Sequence, residues 1–577
     1  MTAVDAVQVV GGNVFWIEGG SSGDHLRRWS ADTGNAVTEL PGVCVGSRIY
    51  GYGGGSYVVT PIGIVASDAE TSALVLQASD GQIRRLVDDG WWYGDLHWDT
   101  AAARVLAVRE RGAVAELVSI ALPGGAVSVI AAGEEFYAAP RAGPDGRRLA
   151  WLSWQAPFMP WDRTVFWTAP TDNPAAATPL VDDDESVFCP QWSPQGVLHF
   201  MSDRSGWWNL YQATASGTRR VVAADAELGT AQWELGYATY TFLDNGQLAL
   251  ISQRGPHHKL LTGTPSDLTP AAPGYTSIKP YLSTSNDTVA FIGANTTQEP
   301  TVVTVRAGSA PRDLTPARHA HVGSPPRQIT CRARDGLRIH GLYWPAQQRD
   351  GRRPLIVRAH PGPTANATGR LDPYVSYFTS RGYAVVDVDY RGSTGYGRSF
   401  RTALRGSWGV ADAHDCADMA RHLIDRGLAH AGSVVISGSS AGGYTALHAI
   451  ASEGPFRAAT ARSAIVDLHA WKAAAPRFQA HHADLLVAPP TYTSSSRDLI
   501  AELGTRISRP LLLIHGTRDR IAPVEPVGRL SAITNANGTP CTLMTFDEDH
   551  TFRSEEAIRT SFEAELRHYD SALRVGR

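Results

Sequence analysis

Ser440 stands where a chain prepares a hydroxyl for attack. The apolar run Val434-Val435-Ile436 leads into Gly438-Ser439-Ser440-Ala441-Gly442-Gly443, and Tyr444 through Ile450 then reads as a helix. Strand, tight turn and helix around G-x-S-x-G form a nucleophile elbow, in which a strained turn exposes the central serine and leaves no room for side chains two residues to either side. Gly438 and Gly442 meet that demand for Ser440. Ser439 fails it, because Ser437 stands two residues before it.

A serine hydroxyl is a weak nucleophile at neutral pH and needs a histidine base held by an acid. Pro510 through Ile514 reads as a buried strand, and His515-Gly516-Thr517-Arg518-Asp519 as the turn at its carboxyl end, which makes Asp519 the candidate acid. Cys541 through Phe546 reads as the next strand, and the loop after it carries His550, the candidate base. The bland readings are a turn aspartate at 519 and a competing base at His515. The order Ser, Asp, His is that of α/β hydrolases; the chymotrypsin and subtilisin orders differ.

These residues need a scaffold, and 577 residues exceed what one core usually supports, so two domains are expected. Up to about residue 320 short strand-like runs alternate with Gly, Pro, Asp and Asn turns, and the remainder alternates strand and helix. The first region repeats loosely: Ala138 through Trp151 resembles Cys189 through Phe200, with weaker echoes at Leu96-His97-Trp98-Asp99, Tyr240 through Gly246 and Pro280-Tyr281-Leu282. A spacing of about 40 to 50 residues is that of four-stranded propeller blades, about seven of which fit, with six or eight left open. We therefore expect an all-β propeller over 1–322 and an α/β-hydrolase domain over 323–577. Pro311 through Pro326 reads as the linker, and Gln328 through Trp344 as a hairpin turning at Asp335-Gly336.

A net charge of -4 gives no basic excess for nucleic acid. The amino terminus lacks a basic segment leading into an apolar one, and no apolar run reaches spanning length, so a soluble cytoplasmic protein with no membrane partner is expected. Five scattered cysteines form neither a disulfide framework nor a zinc motif. The pairs His257-His258, His481-His482 and His319-x-His321 lack completing ligands, and serine chemistry calls for no metal or cofactor.

The chain resembles the prolyl oligopeptidase family of serine peptidases, in its acylaminoacyl-peptidase and dipeptidyl-aminopeptidase-like branch. Beyond the three catalytic candidates, the resemblance rests on Asp389-Tyr390-Arg391-Gly392-Ser393-Thr394-Gly395-Tyr396-Gly397, on Gly406-Ser407-Trp408-Gly409 with Asp412, and on Met159-Pro160-Trp161-Asp162 and Ser202 through Tyr211. It implies an oxyanion held by the Ala441 N–H and the Tyr390 hydroxyl. Where the family has His-Gly-Gly-Pro this chain has His360-Pro361-Gly362-Pro363, and Pro361 has no N–H to give, which shifts weight to Tyr390. Gln479 stands where the family segment often carries an acid.

The expected activity is hydrolysis of peptide or amide bonds in short substrates through an acyl-enzyme, with a short peptide or aminoacyl amide as the substrate partner and the oligomeric state left open. An esterase or acyl transferase, and an N-acylaminoacyl-peptide hydrolase, are the alternatives that share this chemistry. Removal of amino-terminal residues needs a carboxylate for the substrate ammonium. Glu135 and Glu234 are the candidates, and Tyr444, Ile465 and Val466 are candidates for the side-chain pocket, with core packing the competing reading for all three.

Overall fold

The computed structural model describes residues 3–20, 23–306, 308–320, 323–347, 354–488 and 498–574. Seven antiparallel sheets follow one another over residues 3–39, 57–87, 92–132, 136–181, 187–222, 240–270 and 277–313. Six have four strands in sequence order. The seventh has five, because its first strand is broken into Ser277–Ile278 and Ser283–Ser285.

The first strand of several blades carries a bulge in place of regular pairing, at Ala6, Asp95, Ala139 and Cys189, all with φ between 49° and 52°. A bulge bends the strand and sharpens its twist. The ring closes between complete blades, without a shared strand: the Val9 N–H donates to Ser283 Oγ (2.9 Å), and Lys279 pairs with Asp5 (3.1 Å).

The carboxyl-terminal region holds one eight-stranded sheet. Its order is Arg327–Arg332, Arg338–Trp344, Ala384–Asp389, Leu355–Ala359, Val434–Ser439, Phe456–Arg462, Leu511–Gly516 and Cys541–Phe546, parallel from Ala384–Asp389 onward. Successive side chains of a strand point to opposite faces. Val434 and Ile436 accordingly pack with Met419, Leu423 and Leu447 on one face, while Val435 packs with Val375, Phe378 and Tyr569 on the other. Covering both faces is what lets such central strands be apolar throughout.

The expected linker is structured in part. Arg312–Asp313 pairs with Val303 and Thr304, and the Ala320 N–H donates to Thr297 O, because the outer edge of the seventh blade would otherwise leave its backbone groups unpaired. The boundary expected at 322 falls on residues 321–322, outside the described residues, as does His321.

A segment of the hydrolase region crosses to the propeller. Phe478, in the short helix Arg477–Ala480, sits in the propeller's own aromatic core against Tyr50, Phe136, Trp154 and Trp161, while Arg477 pairs with Glu110 (3.2 Å). Pro476 lies so close to Gly51 that a Cβ there would fall 2.3 Å from it. A second bridge is ionic: Arg398, Arg401 and Arg405 reach Asp203, Asp203 and Asp162 of the blades. No described helix is long and apolar enough to cross a membrane.

Candidate active site

Ser440 has φ 55° and ψ -120°, between the strand Val434–Ser439 and the helix Ala441–Ile450. The left-handed region costs a non-glycine residue energy, and the surrounding contacts must hold it there. They do so by leaving no slack: a Cβ at Gly438 would fall 2.0 Å from Gly442 O, and one at Gly442 would fall 2.2 Å from Ala359 O. The Ser440 N–H donates to Arg462 O (2.9 Å), which ties the turn to the next strand.

Ser440 Oγ lies 3.0 Å from His550 Nε2, and His550 Nδ1 lies 2.7 Å from Asp519 Oδ2. The Asp519 side chain is inaccessible to solvent, and its Oδ1 accepts the N–H groups of Ile521 (2.9 Å) and Ala522 (2.8 Å). Burial alone would raise its pKa, but the hydrogen bonds from His515, His550 and Ala522 outweigh burial and hold the carboxyl well below the usual carboxylate range. His515 is not placed as a rival base: it is buried, its Nε2 lies 2.8 Å from Ala522 O, and it touches the acid (3.3 Å) without reaching Ser440.

These groups open into a cavity of about 600 Å³. The hydrolase region lines it with Pro361, Gly362, Ser440, Ala441, Ile465 and His550 among others, and the propeller with Tyr52, Trp233 and Glu234. Gln479 and His482 of the crossing segment complete the wall, and the Gln479 amide oxygen accepts a hydrogen bond from Tyr52 Oη (2.7 Å). Trp408, Trp471, Tyr374, Phe552 and Phe562 make the lining strongly aromatic.

Glu234 accepts a hydrogen bond from Tyr281 Oη (3.0 Å). Burial, reinforced by the nearby Asp5 and opposed by Tyr281 and Lys279, pushes its carboxyl up to about 7. The other lining carboxylate, Asp372, is paired with Arg358 (2.7 Å), so Glu234 is the lining acid without a cation partner among the described residues.

Four expectations are corrected. The Tyr390 hydroxyl does not face the cavity: its ring is wholly buried and its Oη donates to His360 O (3.0 Å), because this strand end turns the side chain under the His360–Pro363 loop. Glu135 is turned away as well, its Oε2 accepting the Ala156 N–H (2.7 Å) and its backbone oxygen accepting from Arg477 (2.9 Å). Tyr444 belongs to the core, packed on Trp408 (4.5 Å) and His448 (4.3 Å) on the inner face of the elbow helix. Val466 is core too, whereas Ile465 lines the cavity.

Gly362 is the residue that the reading from sequence missed. It has φ +99°, lines the cavity, and its N–H finds no protein acceptor among the described residues. The Ala441 N–H, in the first turn of its helix, has no intrahelical partner either. Both loops touch, since Gly442 lies against the Ala359 and His360 carbonyls, and the Trp233 indole of the propeller donates to Thr364 O (2.8 Å). The signal was present in the sequence: once Pro361 is excluded as a donor, Gly362 supplies the next amide of the same loop.

Residues 370–576 match the model of the prolyl oligopeptidase family, Peptidase_S9. The structure of a puromycin-hydrolyzing peptidase from Mycobacterium tuberculosis superposes with a TM-score of 0.92 at 29% identity, covering 99% of this chain and 94% of that one. Among curated proteins, dipeptidyl peptidase family member 6 of Caenorhabditis elegans is 36% identical over 96 residues, which are 17% of this chain and 13% of that protein. The acylamino-acid-releasing enzyme of Arabidopsis thaliana is 26% identical over 208 residues, 34% of this chain and 27% of that protein. The matched parts of these two curated relatives thus span less than a third of their lengths. With a seven-bladed propeller before an α/β-hydrolase sheet and that family's match over residues 370–576, the findings support a peptidase of the prolyl oligopeptidase family, similar to its acylaminoacyl-peptidase and dipeptidyl-peptidase branch.

Proposed function

We propose that this protein hydrolyses peptide or aminoacyl-amide bonds of short substrates with a free amino terminus, through an acyl-enzyme on Ser440. The observation that carries the reading is the unbroken contact from Asp519 through His550 to Ser440 Oγ, in a cavity that also presents Glu234.

His550 Nε2 takes the Ser440 proton as Oγ attacks the scissile carbonyl carbon, and the imidazolium is stabilised by the ionised Asp519. Negative charge gathers on the carbonyl oxygen, where the N–H groups of Ala441 and Gly362 receive it. His550 then returns the proton to the leaving nitrogen, and the amine departs. A water molecule, deprotonated by the same imidazole, attacks the acyl-enzyme and frees the acid product. Glu234 pairs with the substrate ammonium, which limits how many residues fit between the amino terminus and the scissile bond. The propeller contributes three lining residues, and its placement over the cavity limits substrates by size.

The test is a fluorophosphonate label on wild type and Ser440→Ala, followed by a panel of aminoacyl, dipeptidyl and N-acylaminoacyl arylamides, puromycin and casein. Labelling of wild type alone, with cleavage of free-amine substrates and none of casein, supports the reading. Label retained in Ser440→Ala overturns the nucleophile, efficient casein cleavage overturns the size limit, and faster cleavage of acetylated substrates overturns the Glu234 anchor.

A further inference from the structure

The cavity reaches over both faces of the hydrolase sheet. Trp408, Ile465 and Trp471 belong to the core that covers the face of Val434 and Ile436, whereas Tyr374 and Phe562 pack in the core on the face of Val435. Ser440 stands between the two halves, at the turn after that strand. The first half is continuous with the wall that presents Glu234: the Trp408 N–H donates to Leu486 O (3.0 Å) in the helix His482–Leu486, and Gln479 just before that helix binds Tyr52. An acyl group anchored there leaves the other half to the amine portion of the substrate. It is also the half bordered by the chain that runs on from His550 into Thr551 and Phe552.

That second half is apolar and aromatic. Phe552 packs on Phe546 with ring centroids 5.3 Å apart, and Phe562 meets Tyr374 edge to face at 5.4 Å. Ile558 stands one turn before Phe562 in the helix Glu555–Arg574, the spacing that puts two side chains on one face, and lines the same wall. Phe552, Ile558 and Phe562 are only half-buried, unlike Trp408 and Trp471, so they keep apolar surface for a ligand to cover. The charged side chains here are committed to protein partners. Arg462, beside the Phe562 ring, donates to Ser561 Oγ (2.8 Å) and to Glu565, and Asp372 is paired with Arg358 (2.7 Å). The Tyr374 hydroxyl is taken as well, donating to Glu565 (2.8 Å).

We propose that Phe552, Ile558 and Phe562 form a leaving-group subsite that takes a neutral aromatic side chain or aryl ring from the amine portion of the substrate. This rests on the reading of Ser440 as nucleophile and of Glu234 as the anchor of the acyl portion. Edge-on or offset contact with two phenylalanines suits a flat ring. The contact exists only until the amine departs, so the preference belongs to acylation. Deacylation starts from the same acyl-enzyme whatever the leaving group was, and does not carry it.

The test holds the acyl portion constant, as the best cleaved of the arylamide panel, and varies the leaving group as phenylalaninamide, glycinamide or glutamic acid α-amide. In wild type, kcat/KM should be about 10- to 100-fold higher for phenylalaninamide than for glycinamide, the range over which an apolar pocket discriminates, and no higher for the acidic residue than for glycine. The phenylalaninamide-to-glycinamide ratio should fall about tenfold in Phe562→Ala and in Phe552→Ala. A ratio taken within one protein does not move when a fraction of it fails to fold. Capture of the acyl-enzyme gives a second readout, because an attacking amine must come from the leaving-group half. Its nitrogen bonds to the ester carbonyl carbon, its proton passes to His550 and on to Ser440 Oγ, and the serine is released. Wild type should transfer the acyl group to phenylalaninamide about tenfold more often than to glycinamide at equal concentration, and Phe562→Ala should lose that preference. Equal wild-type rates, a preference for the acidic residue, or an aromatic preference retained in both variants overturns the subsite. With Ser440 labelled by fluorophosphonate and glycinamide released, such a result sinks the subsite alone, whereas no label on Ser440 sinks the nucleophile and the subsite together.

Discussion

The two regions of the molecule meet the cavity with different chemistry held in different ways. The hydrolase side supplies Ser440, Asp519 and His550 from just beyond the carboxyl ends of three parallel strands of one sheet, where the strands of that sheet hold the turns, as Arg462 O does for the Ser440 N–H. The propeller side supplies Tyr52, Trp233 and Glu234 from segments between blades, fixed by contacts to residues far away in the chain such as Tyr281 and Thr364. Reactivity therefore sits on the region whose geometry is set by a single sheet, and selection of the amino terminus on the region whose geometry depends on closure of the ring. Variants on the two sides should separate accordingly, in turnover on one and in substrate preference on the other.

The largest break comes on the hydrolase side. Ser440→Ala removes the acyl-enzyme, so turnover should fall by about 10⁶-fold, the size of a lost nucleophile, while thermal unfolding is unchanged. Asp519→Asn should cost about 10⁴-fold, somewhat less, because nucleophile and base remain but the imidazolium loses its counter-charge and its tautomer is no longer enforced. Single-turnover kinetics on one arylamide measures both. Activity of Asp519→Asn equal to wild type would remove this residue from the relay. Its carboxyl is held below the ordinary range, so it stays ionised at working pH and does not itself shape the acid limb of the rate profile.

The same division explains what could be read from the sequence. G-x-S-x-G, the strand-end Asp519 and the loop His550 are local signatures, and so is the repeat that gives a propeller of seven blades. Tyr390, Glu135 and Tyr444 misled because their surroundings decide their direction: the aromatic at 390 points beneath its own loop, the glutamate binds the crossing segment, and the tyrosine turns inward from the elbow helix. No pattern of spacing encodes such directions. Phe478 is the clearest case, a residue of the hydrolase sequence that packs in the core of the propeller.

The propeller side should answer through substrate preference. Glu234→Gln should raise KM for free-amine arylamides by about 10- to 100-fold, the range of a charge-assisted hydrogen bond of ~1.5–3 kcal/mol, and leave N-blocked substrates alone. The pH dependence carries the same signature with a definite sign. Glu234 is raised to about 7, so it is neutral below that pH and anionic above, and kcat/KM for free amines should fall as pH drops through about 7. It should fall again above about 8, where the α-amino group loses its proton. Blocked substrates should lack both of these limbs, and identical profiles for the two substrate classes would remove Glu234 from recognition.

The smallest effect is expected at Glu135, and it sharpens the comparison because this residue has the same charge and lies in the same region as Glu234. Its Oε2 accepts the Ala156 N–H and its Oε1 stands 3.9 Å from Arg477, so its work is to tie the crossing segment to the blades. A glutamine there keeps an acceptor for Ala156 and gives up only a long, partly exposed ion pair, which is worth roughly 0–1 kcal/mol. Glu135→Gln should therefore leave the ratio of free-amine to blocked-substrate kcat/KM within about twofold of wild type, with at most a small drop in the unfolding midpoint. A collapse of that ratio as large as the one in Glu234→Gln would mean that the ammonium is read on the Glu135 side of the ring, and that Glu234 is held at about 7 for another reason.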